Sequence, residues 1–192
     1  NKYISSNSKI VTRGGYLDPR INIENQILNK THFVYSGRID EMKMGNLDIA
    51  KHLIKSKPSN IFLTFHIFGP DSEALRSFAK PYDSVKILIN SKEEEMARTF
   101  SRVGFGLVLQ SSFKSFNVTS FPSKIYKYIS YGITPICLET SAIQNSEISD
   151  HLRCIKNWDW SEILAVENIH YSIDKLNDLK KERWIQIKSL LN

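Results

Sequence analysis

The sequence predicts an α/β domain: a Rossmann-like, doubly wound and mostly parallel sheet with a C-terminal helix. Three observations carry this expectation. From residue 31 onward, short β-branched and aromatic runs alternate with segments whose apolar residues recur at helical spacing. The first two of those runs end at strong turn signals, Gly37 and Gly69-Pro70. At 192 residues, with 41% apolar and 24% charged side chains, the chain can bury one full core and is not pervasively disordered.

Residues 1–30 read as a strand-and-loop lead-in, with Lys9-Ile10-Val11 followed by a turn at Arg13-Gly14-Gly15. Thr31 to Ser36 is a strand ending at Gly37-Arg38. Over Asn46 to Lys57, Leu47, Ala50, Leu53 and Ile54 share one helical face, and Pro58 closes the helix. Asn60 to Phe68 is a second strand, Asp71 to Ala79 a short helix, and Val85 to Ile89 a third strand. Ser91-Lys92-Glu93-Glu94 reads as a capping box that opens a helix through Phe100 and Arg102.

Phe105 to Leu109 is an apolar strand flanked by glycines, and Ser111 to Phe121 is polar and turn-like. Pro122 suits the first turn of a helix reaching Tyr131, whose inner face is Ile125, Tyr128 and Ile129. Ile133 to Leu138 is a buried strand, Ala142 to Ile148 a helix and Leu152 to Ile155 a last short strand. Ile163 to the end is read as helical, with Leu176, Leu179, Trp184, Ile187 and Leu190 in its apolar stripe. The expected organisation is a single domain over 1–192: a lead-in (1–30), an α/β core (31–160) and a C-terminal helical segment (161–192).

Strands alternating with helices imply right-handed crossovers and a ligand site beyond the carboxyl ends of the strands. Chemistry is therefore expected in the loops 36–45, 69–72, 89–92, 110–124 and 139–142.

Composition narrows the function classes. The net charge is +6, from 26 basic and 20 acidic residues spread along the chain. This suits an anionic partner such as a sugar nucleotide or a membrane surface, though charge alone assigns none. Two cysteines form neither a disulfide framework nor a metal-ligand spacing; Cys137 lies in an apolar run and reads as core, which fits a reducing cytoplasm. The five histidines, His32, His52, His66, His151 and His170, also lack metal-ligand spacing. Glu93-Glu94-Glu95 reads as a solvated helix start rather than an acid–base pair, Trp158 and Trp160 as a core edge, and Tyr126, Tyr128 and Tyr131 as packing residues. Asn29-Lys30-Thr31 and Asn117-Val118-Thr119 match a glycosylation tripeptide that is common by chance. No Gly-x-Ser-x-Gly elbow, Walker lysine or Gly-x-Gly-x-x-Gly fingerprint is present. The sequence has no signal peptide and no apolar run long enough to cross a bilayer. It begins at Asn1, so a longer protein with any targeting segment upstream is expected.

Two segments could hold phosphate. In Ser36 to Gly45, Gly37 permits a sharp turn after a strand, a helix N-terminus follows, and Arg38 and Lys43 add two cations over one loop. In Phe121 to Tyr128, a polar loop runs into a helix whose first turn carries Ser123 and Lys124, with Gly132 as its stop. A plain turn and an ordinary amphipathic helix would explain either segment alone.

In series, the two segments resemble the C-terminal domain of GT-B fold glycosyltransferases. That family often shows a strand ending in Gly-Arg, a Lys five residues later and a Gly close behind. Gly37, Arg38 and Lys43 match this, with Gly45 displaced by one residue. The family's second stretch often reads Pro-x-Lys-x-x-Glu-Tyr, then a small residue and Gly-x-Pro-Val/Ile. Pro122, Lys124, Tyr128, Gly132, Pro135 and Ile136 follow it with one extra residue before Pro135. The resemblance spans roughly residues 30–140.

It implies a nucleotide-sugar donor, a UDP-sugar first of all, held without metal or other cofactor. Gly37, Arg38, Lys43, Ser123, Lys124 and Ile125 would face the diphosphate. Gly69, Asn90, Ser91 and Pro122 would lie near the nucleoside. Many retaining members carry two glutamates eight positions apart; Thr119 and Lys127 stand there, leaving the stereochemical class open. The resemblance places the catalytic base in an N-terminal domain absent from this chain, so the fragment is expected to be inactive alone. The implied acceptor is a bacterial surface polysaccharide, capsule or lipopolysaccharide, or a lipid-linked glycan. The implied location is cytoplasmic, peripheral to the inner face of the membrane, and no nucleic-acid partner is expected. A non-catalytic module for a nucleotide or phosphorylated ligand, and a nicotinamide-dependent oxidoreductase, are the rival readings.

Overall fold

The computed structural model describes residues 29–111, 122–146 and 148–191, with only the backbone described at 29, 30, 183 and 186–191. Along the chain these form β1 (Asn29–Arg38), α1 (Glu41–Met44), α2 (Leu47–Ser56), β2 (Phe62–Phe68), α3 (Ser72–Ala79), β3 (Val85–Ile89), α4 (Glu93–Phe100) and β4 (Val103–Val108). After these come α5 (Lys124–Ser130), β5 (Thr134–Leu138), α6 (Ser141–Gln144), β6 (Arg153–Ile155), α7 (Trp160–Ala165) and α8 (Ile173–Leu191). Of the expected lead-in over 1–30, residues 1–28 lie outside the described residues, while Asn29 and Lys30 already belong to β1.

The described strands form one six-stranded sheet in the order β3-β2-β1-β4-β5-β6, and every pairing is parallel. Its central strands are buried on both faces, as crossover helices on both sides require. Phe33 and Tyr35 of β1 join a core with Leu53 and Ile54 of α2, Leu75 of α3 and Trp160 of α7. Val34, on the opposite side of β1, joins Phe100 of α4, Tyr128 and Ile129 of α5 and Leu176 of α8. Trp158 and Trp160 close the first core and donate their indole N–H groups inward, Trp158 to the Gln110 carbonyl (3.1 Å) and Trp160 to that of Leu53 (3.0 Å). The four α2 residues read as its inner face are all buried, as are Tyr126, Tyr128, Tyr131 and Cys137.

Four local expectations are corrected. The segment from Ile163 onward is not one helix: α7 ends at Ala165, and an extended stretch precedes α8 at Ile173. There Ile169 and Tyr171 are buried while His170 between them is exposed, a period of two that cannot propagate a helix. The Thr134 hydroxyl fixes this stretch by accepting from the Ile169 N–H at 2.7 Å. Within α8, Leu176 is buried and Leu179 packs against the same core, but Trp184 is 54% exposed and leaves the inward stripe. The side chains of Ile187 and Leu190 lie outside the described ones.

The capping box does not form either. Lys92 is the N-cap of α4, without a side-chain cap, while the Ser91 hydroxyl lies 2.9 Å from His66 Nδ1. Buried His66 needs partners for both ring nitrogens, and it takes Ser91 and, at 2.8 Å from Nε2, Thr99. The helix expected over 142–148 closes after Gln144, with the Thr140 hydroxyl accepting from Ile143 N–H at its start.

Tyr128 is the wedge at the centre of the sheet. The β1–β4 ladder stops at Tyr35 opposite Leu107. Beyond it, the Ser36 N–H donates to the Tyr128 hydroxyl (2.8 Å), which in turn donates to the Leu107 carbonyl (3.1 Å). Its ring lies over Gly106, where an added Cβ would come within 2.5 Å of Cδ2. Two variants test this arrangement by urea unfolding. Gly106→Ala forces the ring aside and should cost at least about 2 kcal/mol. Tyr128→Phe keeps the ring but strands the buried Leu107 carbonyl and the half-buried Ser36 N–H, and should cost about 1–3 kcal/mol.

Candidate functional site

Connections leave β1 toward β2 and β4 toward β5, so strand order reverses between β1 and β4. In open parallel sheets such a reversal leaves a crevice beyond the carboxyl ends of the strands. The loop after β1 and the start of α5 flank it.

The loop after β1 is built by side-chain hydrogen bonds. Buried Asn46 accepts from the Asp40 N–H (3.0 Å) and donates to the Arg38 carbonyl (2.9 Å) and to the Tyr35 hydroxyl (3.1 Å). Asp40 caps α1 by accepting from Lys43 N–H at 3.0 Å, and its other oxygen accepts from Arg38 Nε at 2.8 Å. The Lys43 amide first, then the Arg38 guanidinium, hold the Asp40 carboxyl below the usual range. Glu41 turns to α2, where its carboxylate accepts from the Leu47 and Asp48 N–H groups. Asp71 in turn accepts from the Glu41 N–H at 2.8 Å. The loop is thus braced from both neighbours.

Lys124 reaches across the crevice from the first turn of α5. Its ammonium donates to the Tyr35 hydroxyl at 3.1 Å and sits 4.2 Å from the centre of that ring. Gly37 faces it so closely that a Cβ would fall 2.8 Å from Lys124 Nζ, and its φ of +153° favours glycine. Among the described residues Lys124 has no carboxylate partner, and burial lowers its pKa to about 7. The two motifs therefore meet at one point, Gly37 against Lys124.

The other expected residues distribute around that point. Arg38 is held by Asp40 with its side chain 43% exposed, and Lys43 is exposed on α1. Ser123 is the exposed N-cap of α5 with no side-chain capping bond, Pro122 is buried, and Ile125 points into the core. Gly69 packs against the β1 loop, where a Cβ would lie 2.5 Å from the Ile39 carbonyl oxygen and 2.9 Å from Arg38 Cγ. Asn90 follows edge strand β3, with φ of 54°, exposed and two strands from the reversal. The Ser91 hydroxyl is occupied by His66, whose imidazole burial keeps neutral with a pKa lowered to about 4. Lys127 pairs with Glu93 of α4 at 3.1 Å, so Glu93 serves an inter-helix ion pair as well as a helix start. Thr119 lies outside the described residues.

Sequence reasoning missed Asp40, Asn46 and Tyr35, which shape the loop without contacting a ligand in any motif. The signal available for Tyr35 was a tyrosine next to Phe33 and Val34 in the apolar middle of a strand, because a buried hydroxyl requires partners.

No protein-family model matches the chain, and no curated protein sequence matches it. Among solved structures it is similar to AviGT4, a glycosyltransferase involved in avilamycin A biosynthesis, with a TM-score of 0.56 and 10% identity over 83% of this chain and 48% of that one. The catalytic domain of cholesterol-alpha-glucosyltransferase from Helicobacter pylori has a TM-score of 0.46 at 17% identity, over 84% of this chain and 96% of that one. The pneumococcal O-GlcNAc transferase GtfA has a TM-score of 0.48 at 13% identity, over 93% of this chain and 31% of that one. The chain thus spans about half of AviGT4 and about a third of GtfA. The likeness is one of fold: a Rossmann-like half of a GT-B architecture.

A desolvated lysine makes a specific prediction about stability. In the unfolded chain Lys124 titrates near its ordinary value of 10.5, and in the folded chain near 7. Between those values the unfolded state binds more protons, so the Lys124 contribution to stability rises with pH across that window. Lys124→Met removes the cost of burying the ammonium. By thermal or urea unfolding the variant should be more stable than wild type at pH 7, by at least about 1 kcal/mol. The difference should shrink toward pH 10.

Proposed function

We propose that this chain is the donor-binding half of a two-domain glycosyltransferase that holds the diphosphate of a nucleotide sugar in the crevice between β1 and β4. The observation that carries this reading is the apposition of Lys124 to Gly37 at the strand reversal. An ammonium partly withdrawn from water, facing a residue with no side chain, leaves a cationic position beside open backbone. A phosphate oxygen fits that position and restores the charge lost to burial. Arg38, oriented by Asp40, supplies a second cation, and the first turn of α5 around Ser123 adds the positive end of a helix.

Glycosyl transfer places growing negative charge on the departing diphosphate, and fixed cations stabilise that charge more than the ground state. The donor half performs this task with its own side chains, whereas the base that activates the acceptor belongs to the other half. A uridine nucleotide is the donor favoured by the motif resemblance. The same resemblance favours a polysaccharide or lipid-linked glycan acceptor. The net charge of +6 suits work beside an anionic inner membrane leaflet.

Calorimetric titration with UDP, GDP and NAD tests the reading on this chain and on the full-length protein. One nucleoside diphosphate should bind, and Lys124→Ala and Arg38→Ala should each weaken it by about tenfold or more while remaining folded. Wild-type affinity should fall as pH rises above about 7, because the neutral amine must regain a proton to bind. Preference for NAD, or full-length protein that binds no nucleotide, would overturn it.

A further inference from the structure

Cys137 on β5 and Cys154 on β6 are direct partners in the parallel ladder. Register partners project from the same face of a sheet, and neighbouring strands lie about 4.8 Å apart. That separation falls within the roughly 4.4–6.8 Å between Cα atoms over which a disulfide closes. Because β6 is the sheet edge, Cys154 is exposed while Cys137 is buried.

The two thiols differ in reactivity. The contact with Cys137 holds the Cys154 thiol below its ordinary range, and that contact together with burial pushes the Cys137 thiol well up, its S–H donating to the Arg153 carbonyl at 3.7 Å. The exposed sulfur, whose ionisation is the easier of the two, is the one oxidants reach first. A protonated neighbour shielded from solvent escapes that first attack but stands within reach of its product.

We infer that Cys154 and Cys137 form a peroxide-responsive pair, in which Cys154 is oxidised first and Cys137 resolves it to an intramolecular disulfide. In the first step the Cys154 thiolate attacks one oxygen of hydrogen peroxide. The O–O bond breaks, hydroxide leaves, and Cys154 becomes a sulfenic acid. In the second step the Cys137 sulfur attacks the sulfenic sulfur. The S–O bond breaks, and the departing hydroxide takes the Cys137 proton as water. In sum, two thiols and one peroxide give one disulfide and two waters, with two electrons passing from sulfur to oxygen. A dithiol reductant reverses the change. The pair thereby stops Cys154 short of sulfinic acid, which such reductants do not reverse.

The test treats the folded full-length protein with hydrogen peroxide, then alkylates it under denaturing conditions for intact-mass and peptide analysis. Wild type should lose two hydrogens, lose alkylation at both cysteines, run as a monomer without reductant and recover both thiols with dithiothreitol. Cys137→Ser should instead accumulate sulfinic acid at Cys154 that dithiothreitol does not remove, and Cys154→Ser should leave Cys137 fully alkylatable. Cys137→Ala serves as the resolving-thiol variant if the serine form does not fold. Disulfide-linked dimers, two thiols surviving in wild type, or equal sulfinic acid with and without Cys137 would overturn the inference. None of these outcomes depends on nucleotide binding.

Discussion

The structure depends on what happens where β1 and β4 stop pairing. Two parallel strands that diverge must leave backbone groups without ladder partners, and burying such groups unpaired is costly. The Tyr128 hydroxyl takes both of them, the Ser36 N–H and the Leu107 carbonyl. Its ring can reach that position only because residue 106 has no side chain. α5 is thereby docked at the reversal point with its first turn at the mouth of the crevice, where Lys124 begins. Position and chemistry thus follow from one tyrosine and the glycine beneath it.

A second layer of constraint surrounds Tyr35. Its hydroxyl donates to the Arg38 carbonyl at 2.7 Å and accepts from both Asn46 and Lys124. One phenol therefore ties the β1 loop to α5, and burial drives its own ionisation far above the ordinary range. The network holds Lys124 in place without neutralising it, because a phenol supplies a lone pair and a ring face but no negative charge. Folding thus accepts a destabilising ammonium at the one place where an anionic ligand would relieve it. Such local conflict between stability and charge is expected at functional sites.

The fold was legible in the sequence because local pattern records it. The α2 stripe of Leu47, Ala50, Leu53 and Ile54, the β2 run ending at Gly69-Pro70 and the inner face of α5 each report their own element. Gly37 and Lys124 were legible as motif members, but their contact was not. Failures fell where distant side chains decide. The Ser91 hydroxyl read as a cap because its neighbours fit, yet His66, buried in another strand, claims it. The break before α8 was hidden because Ile169 and Tyr171 are apolar enough to continue a helical count, while the Thr134 hydroxyl fixes them as extended chain. The bond between Ser36 and Tyr128 joins positions 92 residues apart, beyond the reach of any periodicity.

The strand order also sets a timetable for the nascent chain. β1 lies inside the sheet, paired on one side with β2 and on the other with β4. During synthesis its first edge can be covered as soon as Phe62–Phe68 emerges, but its second stays open until Val103–Val108 has been made. An unpaired edge of a strand carrying Phe33, Val34 and Tyr35 is a template for wrong pairing. After β1 the ribosome must therefore deliver four helices and three further strands, β4 the last of them, before the middle of the sheet is closed, and a pause in that interval would lengthen the exposure of this adhesive segment.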